Sequence, residues 1–246
     1  EALIAVPAYE QSSDQEVAFQ AVDYILRVLK KNMVFGMTWG RAMHEFVEQL
    51  AKDERLRSLS FQNVKVVPFL GTPGAIQSDS WNTTTYSNTL ATKVGNLLHC
   101  ASYNLSAPMY VEGTKEKELI ESIDEIAKVL HMAETADIAL IGIGSMQDDS
   151  SIIKAEIRTK EEYKELVRKG AVGEIVGRIY DKNGQTVDEY LKRKMVGISL
   201  DKIAKIPVRV GMSYGKDKIE AIKGAIAGGL VNVLVTDVPT AELLLK

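Results

Sequence analysis

Short apolar runs alternate with longer amphipathic segments almost from end to end of this chain. Each short run has the length of a buried strand, and each longer one repeats its apolar residues at helical spacing. That alternation is the pattern of a mostly parallel sheet covered by helices, an α/β fold. The predicted strands are Leu3–Val6, Met33–Gly36, Val64–Leu70, Ile138–Ile143, Val208–Met212 and Val233–Thr236. Ala21, Ile25, Val28 and Leu29 predict a helix between the first two, and Leu119, Ile123, Ile126 and Leu130 predict another from Thr114 to Leu130. The C-terminal stretch reads as strand Val208–Met212, helix Lys216–Ala227 stopped by Gly228-Gly229, strand Val233–Thr236, and a short helix opened by Pro239. Gly173–Asp188 breaks the pattern: Ile175, Ile179 and Tyr180 precede Asn183-Gly184, a dipeptide preferred in tight hairpin turns, so an antiparallel hairpin is expected to be inserted there.

The 246 residues contain no Gly/Ser- or Pro-rich linker, no repeat and no low-complexity tract, so a single domain spanning 1–246 is expected. Hydrophobic residues at 46% and charged residues at 26% argue against disorder, collagen and coiled coil. A formal net charge of −3 supplies no basic excess for gripping nucleic acid. The single cysteine, Cys100, excludes an internal disulfide and a thiolate zinc cluster and fits a reducing cytoplasm, the expected location. No apolar run approaches the roughly 18–20 residues of a membrane-spanning helix. The chain opens Glu1-Ala2-Leu3 without methionine, which leads us to expect a piece of a longer protein.

Three βα turns carry glycine. Gly36-Met37-Thr38-Trp39-Gly40-Arg41 lies between a predicted strand and an amphipathic helix, where unpaired helix N–H groups, a hydroxyl and a guanidinium suit an anion. An ordinary βα turn reads the same residues equally well. Neither a dinucleotide fingerprint nor a Walker loop is present, and no cofactor is expected. Gly142-Ile143-Gly144-Ser145 and Gly211-Met212-Ser213-Tyr214-Gly215 follow two further strands, at the ends where parallel sheets collect ligands. Leu70-Gly71-Thr72-Pro73-Gly74 closes a fourth. Lys218, in the first turn of a helix where a cation is disfavoured without an anion nearby, is either a phosphate ligand or a solvated lysine.

Catalytic groupings are sparse. His44, His99 and His131 fall within predicted helices, no HxxxH or CxxC pairing suggests a metal, and Cys100 reads as a small core residue. Asp148 and Asp149 are either paired carboxylates or solvated loop acids, while Glu174, Arg178 and Asp181 around the hairpin are expected to set turn geometry.

Over nearly its whole length the chain resembles the effector-binding domain of SorC-type bacterial transcriptional regulators. The resemblance rests on Gly36-Met-Thr-Trp-Gly-Arg41, Val66-Val-Pro-Phe-Leu-Gly71, Ile141-Gly-Ile-Gly-Ser145, Gly170-Ala-Val-Gly-Glu-Ile-Val-Gly-Arg178 with Asp181-Lys-Asn-Gly184, Val196-Gly-Ile-Ser-Leu200, Gly215-Lys-Asp-Lys218 and Asn232-Val-Leu-Val-Thr-Asp237. It implies a Rossmann-like domain with helices on both faces, related to sugar-phosphate isomerases but used to sense a sugar or phosphosugar. Operator DNA would be bound through an N-terminal helix-turn-helix that this chain lacks, and the regulator would be a homo-oligomer, dimer or tetramer. Carried over, Gly36, Thr38, Trp39, Gly40 and Arg41 belong to the ligand loop, with Gly71, Thr72, Gly74, Asn82 and Gly144 around it and Lys218 opposite. The sequence departs from the family at Leu70-Gly71-Thr72, where relatives place a cation followed by paired glycines, and Arg41 stands where many have threonine. The competing expectation on the same fold is a sugar-phosphate isomerase or deaminase, which would need a loop acid from among Asp148, Asp149 and Asp217.

Overall fold

The computed structural model describes residues 1–6, 13–73, 83–148, 150–154 and 157–246. Seven strands form one parallel sheet: β1 (Ala2–Ala5), β2 (Val34–Met37), β3 (Lys65–Pro68), β4 (Ala101–Ser102), β5 (Ile138–Gly142), β9 (Val208–Met212) and β10 (Val233–Asp237). Their order is β1-β10-β9-β5-β2-β3-β4. From β2 the chain builds outward through β3 to β4, then returns to the other side of β2 with β5 and builds outward again through β9 and β10. The direction of winding therefore reverses between β2 and β5, and at such a point the connections leave to opposite faces and open a crevice at the carboxyl ends of the strands.

The period-two alternation of the strands sorts their side chains between two cores. Ile138 and Leu140 of β5 join Phe35, Met37, Val66 and Val210 on one face, beneath α1 (Ser13–Val28), α2 (Arg41–Leu50) and α3 (Ser87–Leu97). Ala139 and Ile141 face the other way, with Val67 and Phe69. That face is covered by α5 (Asp124–Glu134), α6 (Ser151–Lys154), α7 (Lys160–Arg168), α8 (Glu189–Lys194), α9 (Leu200–Ile203) and α10 (Ile219–Ala227), with α4 (Thr114–Glu121) packed on α5 and α8, and α11 (Val238–Leu244) closes the chain. Gly36 of β2 admits the Phe69 ring, since a Cβ there would lie 2.0 Å from it.

All six predicted strands are present in the sheet; the two-residue edge strand β4 carries no periodicity and was not expected. The predicted helix Thr114–Leu130 is two helices. Ser122 turns its hydroxyl back to the Leu119 carbonyl, and Ile123 is extended and caps α5, whose acidic first turn, Asp124 and Glu125, suits a new helix start. The predicted helix at Lys216 begins as a 3-10 turn, Lys216–Lys218, before α10. His99 lies beyond α3 in a left-handed conformation, φ 52°, so it is not helical.

The inserted antiparallel unit exists and has two reversals, the expected one at Asn183-Gly184 and one more. Three strands, β6 (Gly144–Ser145), β7 (Ala171–Ile175) and β8 (Arg178–Asp181), pair antiparallel, and β7 and β8 are joined by Val176-Gly177 with φ of 55° and 69°. Positive φ at both positions is the two-residue turn that matches strand twist. A β-branched residue is a poor occupant of that turn by propensity; burial of Val176 and a hydrogen bond from the Gly177 amide to the Glu174 carboxylate hold it. Asn183-Gly184 makes the expected reversal, closed by the Gly184 amide on the Asp181 carbonyl at 2.9 Å and continued by pairing of Tyr180 with Thr186.

Gly184 combines positive φ, 74°, with a backbone only 2.5 Å from where its Cβ would sit, the Cα of Gly228 at the end of α10. Gly170 shares the positive φ, 95°, in open space. Gly170→Ala is therefore expected to cost about 1 kcal/mol and Gly184→Ala about 2 kcal/mol or more, measured by urea unfolding; equal losses would show that the approach to Gly228 relaxes freely.

Candidate functional site

Thr38 lies at the β2/β5 reversal, where the fold rule expects a crevice. This side chain is 1% exposed, and its hydroxyl accepts from the Gly142 amide at 3.0 Å while its own amide donates to Leu140 at 3.1 Å. The loop after β2 is thus pinned to the end of β5. Gly40 then adopts φ 108°, donates to Thr85 and caps α2.

Between these residues Trp39 points inward, 5% exposed, and hydrogen-bonds the carboxylate of Glu174 on β7. Glu174 is 6% exposed, and besides Trp39 it meets the Gly177 amide. Gly144 of β6 lies directly beneath; a Cβ there would stand 2.7 Å from Glu174 Oε2. Burial pushes the Glu174 carboxyl up from the ordinary 4.5, and the Gly177 amide, the Trp39 indole and the charges of Lys218 and Arg178 pull it only partly back. Lys218 ends the 3-10 turn before α10, with its ammonium 2.9 Å from Ser145 Oγ and 3.9 Å from Asp217; the Ser145 hydroxyl also lies 3.2 Å from Asp217 Oδ2. Trp39 from the β2 loop, Gly144 and Ser145 from the β5 loop, and Lys218 from the β9 loop therefore meet around one carboxylate.

The other loop residues have different neighbours. Arg41 is exposed at the start of α2, and its charge acts on Tyr214, whose hydroxyl bonds Asp14 and is raised chiefly by burial. Arg41 and Lys218 thus have different neighbours. Gly71 gives its amide to Val196 and has no room for a Cβ, since the carbonyl oxygens of Ala107 and Pro108 would lie 2.6 and 2.7 Å away. Thr72 accepts from Asn88 Nδ2 at 2.7 Å, and the same Asn88 side chain bonds both the amide and the carbonyl of Leu105. Asp148 is exposed and 3.9 Å from Lys160. Gly74, Asn82 and Asp149 lie outside the described residues. Burial pushes the Cys100 thiol up to about 11, which suits a packing role.

Two residues carry more of this site than sequence reasoning assigned them. Glu174 reads in sequence as a hairpin residue, and only the pairing of β7 with β6 brings it over the crevice. Arg178, 3% exposed, donates from Nη2 to the carbonyls of Met195 and Gly197 at 3.1 and 3.0 Å, while Gly197 pairs with Leu70 at the end of β3. Burial draws the guanidinium down to about 10. The hairpin and the β3 loop are therefore tied through one buried side chain.

An acid whose folded pKa is raised favours the fold when protonated, so the contribution of Glu174 falls as pH rises from its ordinary value through the folded one. The stability of the wild type relative to Glu174→Gln is expected to decline in urea titrations as pH rises above the ordinary 4.5; a difference independent of pH would contradict the raised pKa.

A family described as "Putative sugar-binding domain" matches residues 1–246. The sorbitol operon regulator of Klebsiella pneumoniae is 30% identical over 222 residues, covering 89% of this chain and 67% of the relative. The transcriptional regulator LsrR of Escherichia coli is 30% identical over 230 residues, covering 92% and 67%. The crystal structure of the full-length sorbitol operon regulator SorC from Klebsiella pneumoniae superposes with a TM-score of 0.87 at 28% identity, covering 100% of this chain and 76% of that one. The match extends through the parallel sheet and its inserted hairpin unit alike, and the chain belongs to the SorC-type family of sugar-binding regulator domains.

Proposed function

We propose that this domain senses a sugar or phosphosugar in the crevice at the β2/β5 reversal, and that occupancy alters how the regulator associates and binds operator DNA. The observation that carries the reading is the meeting of Lys218, Ser145, Trp39 and Glu174 at that crevice. A buried carboxylate and a serine hydroxyl suit the hydroxyls of a sugar, and an ammonium beside them suits a phosphate. The wider ligand set of this proposal is Gly36, Thr38, Gly40, Arg41, Gly71, Thr72 and Gly144, with Gly74 and Asn82. In it Thr38, Gly71 and Gly144 act by shaping the walls, and Arg41 adds a second cation at the rim.

The regulator names of the relatives support DNA control, and a net charge of −3 favours operator contact through another part of the regulator. The domain would work in the cytoplasm as part of a homo-oligomer. No helix among the described residues is long and apolar enough to cross a membrane.

Sensing without turnover is the second half of the proposal. An isomerase needs a base held about 2.6–3.2 Å from the carbon-bound proton. Asp148 is paired at the surface and Asp217 is engaged with Ser145, so Glu174 is the acid to watch.

A thermal-shift screen of pentose and hexose phosphates, with inorganic phosphate and the parent sugars as controls, tests the reading. A ligand at 100 times its dissociation constant is expected to add about 2.7 kcal/mol. Lys218→Met should weaken the phosphosugar by about 1.5–3 kcal/mol and Arg41→Ala by less, with the neutral sugar least affected. No shift with any sugar, or NMR-detected isomerisation that vanishes in Glu174→Gln, would overturn the sensor.

A further inference from the structure

The charges that meet around Glu174 balance before any ligand enters. Glu174 and Asp217 bring two carboxylates, and Lys218 and Arg178 bring two cations. Arg178 is 3% exposed and gives Nη2 to the carbonyls of Met195 and Gly197, so it acts on Glu174 through its charge. The Arg41 charge is shared with Asp14 and Glu45 around Tyr214. A phosphate monoester carries a charge of about −1.5 to −2 near pH 7. Its entry beside Lys218 therefore brings negative charge to a place already neutral. A buried charge left unbalanced is costly enough that a neighbouring group changes its protonation instead.

Among the groups that face one another here, Glu174 is the one suited to that change. It is 6% exposed, its Oε1 takes the Gly177 amide, its Oε2 lies over Gly144, and burial already favours its neutral form. Asp217 has a side chain 47% exposed, so water supports its charge. Tyr180, on the same hairpin, is fully buried and donates its hydroxyl to the Ala221 carbonyl at 2.9 Å, and burial holds its proton far above neutral pH. Trp39, Gly144 and Ser145, from the other two loops, carry no titratable group in this range. Protonation also gives the carboxyl an O–H donor for a sugar or ester oxygen, which the ionised form lacks.

We propose that the crevice takes up a proton from solvent together with a phosphorylated ligand, and that Glu174 is the group that receives it. The domain then reads phosphosugar level and pH together. The inference rests on the sensor reading given above. A neutral sugar brings no charge and takes up no proton. Because the bound phosphate favours the protonated carboxyl, affinity is level at pH values where Glu174 is already protonated in the empty site, and falls as pH rises past that point.

Isothermal titration calorimetry in Tris and HEPES, whose ionisation enthalpies differ, counts the protons exchanged. The probes are ribose 5-phosphate, glucose 6-phosphate and fructose 6-phosphate, with the three parent sugars as controls. Between about pH 7.5 and 9 the second ionisation of the ester, near pH 6, is complete. In that range the wild type is expected to take up as much as about one proton per phosphosugar, and the dissociation constant to rise as much as about tenfold per pH unit. Glu174→Gln, which keeps an acceptor for the Gly177 amide, should bind with no proton uptake and a level dissociation constant, whereas Asp217→Asn should keep the uptake. Circular dichroism checks that both variants fold, and the buffer comparison on the wild type needs neither. Phosphosugar binding without proton exchange throughout that range overturns the proposal and leaves the sensor standing. Uptake that persists in Glu174→Gln, or that the parent sugars match, overturns it too. If none of the six compounds binds, the sensor reading fails and takes this proposal with it.

Discussion

A carboxylate taken out of water must be met by donors or it will not stay charged, and Glu174 imposes that requirement on three separate parts of this chain. The Gly177 amide comes from its own hairpin, the Trp39 indole from the loop after β2, and the Lys218 charge from the approach to α10. Each of these has to be in place for the others to be useful. The antiparallel unit is therefore joined to the parallel sheet by polar contacts as well as by apolar packing, and Gly144 is the residue whose missing side chain lets the carboxylate settle.

The reversal of winding between β2 and β5 is what makes room for this arrangement. Where two adjacent strands send their chains to opposite faces, backbone amides are left at the sheet edge and no covering helix fills the gap. Thr38 satisfies one of them by accepting from Gly142, which pins the loop after β2 to the end of β5, and Ser145 is buried close by between Lys218 and Asp217.

Close approach recurs wherever the inserted unit touches the frame. Gly184 lies against Gly228, Gly173 leaves room for Ala221 of α10, and Gly197 lies over the end of β3 while its carbonyl accepts from Arg178. The segment from Met195 to Ile198 bonds Met109 on one side and Phe69 and Gly71 on the other. Displacement of the hairpin would therefore be felt at the β3 loop through backbone hydrogen bonds and one buried guanidinium.

Sequence alone determined the six long strands, the parallel α/β class and the glycine-bearing turns, because period-two and helical spacing are local consequences of which face is buried. Motifs in order along the chain were enough to reach the family. Periodicity missed the helix break at Ser122-Ile123, the edge strand β4, which is defined by its pairing with β3, and the turn at Val176-Gly177 that accompanies the one at Asn183-Gly184. Propensity ranks Val-Gly low as a turn, but the Glu174 carboxylate and the burial of Val176 outweigh it. The site divides the same way. Thr38, Trp39, Gly144 and Lys218 stand out by type and position, whereas Glu174 and Arg178 acquire their places only when β7 pairs with β6 and the hairpin folds over the sheet, since a buried charge is defined by what surrounds it.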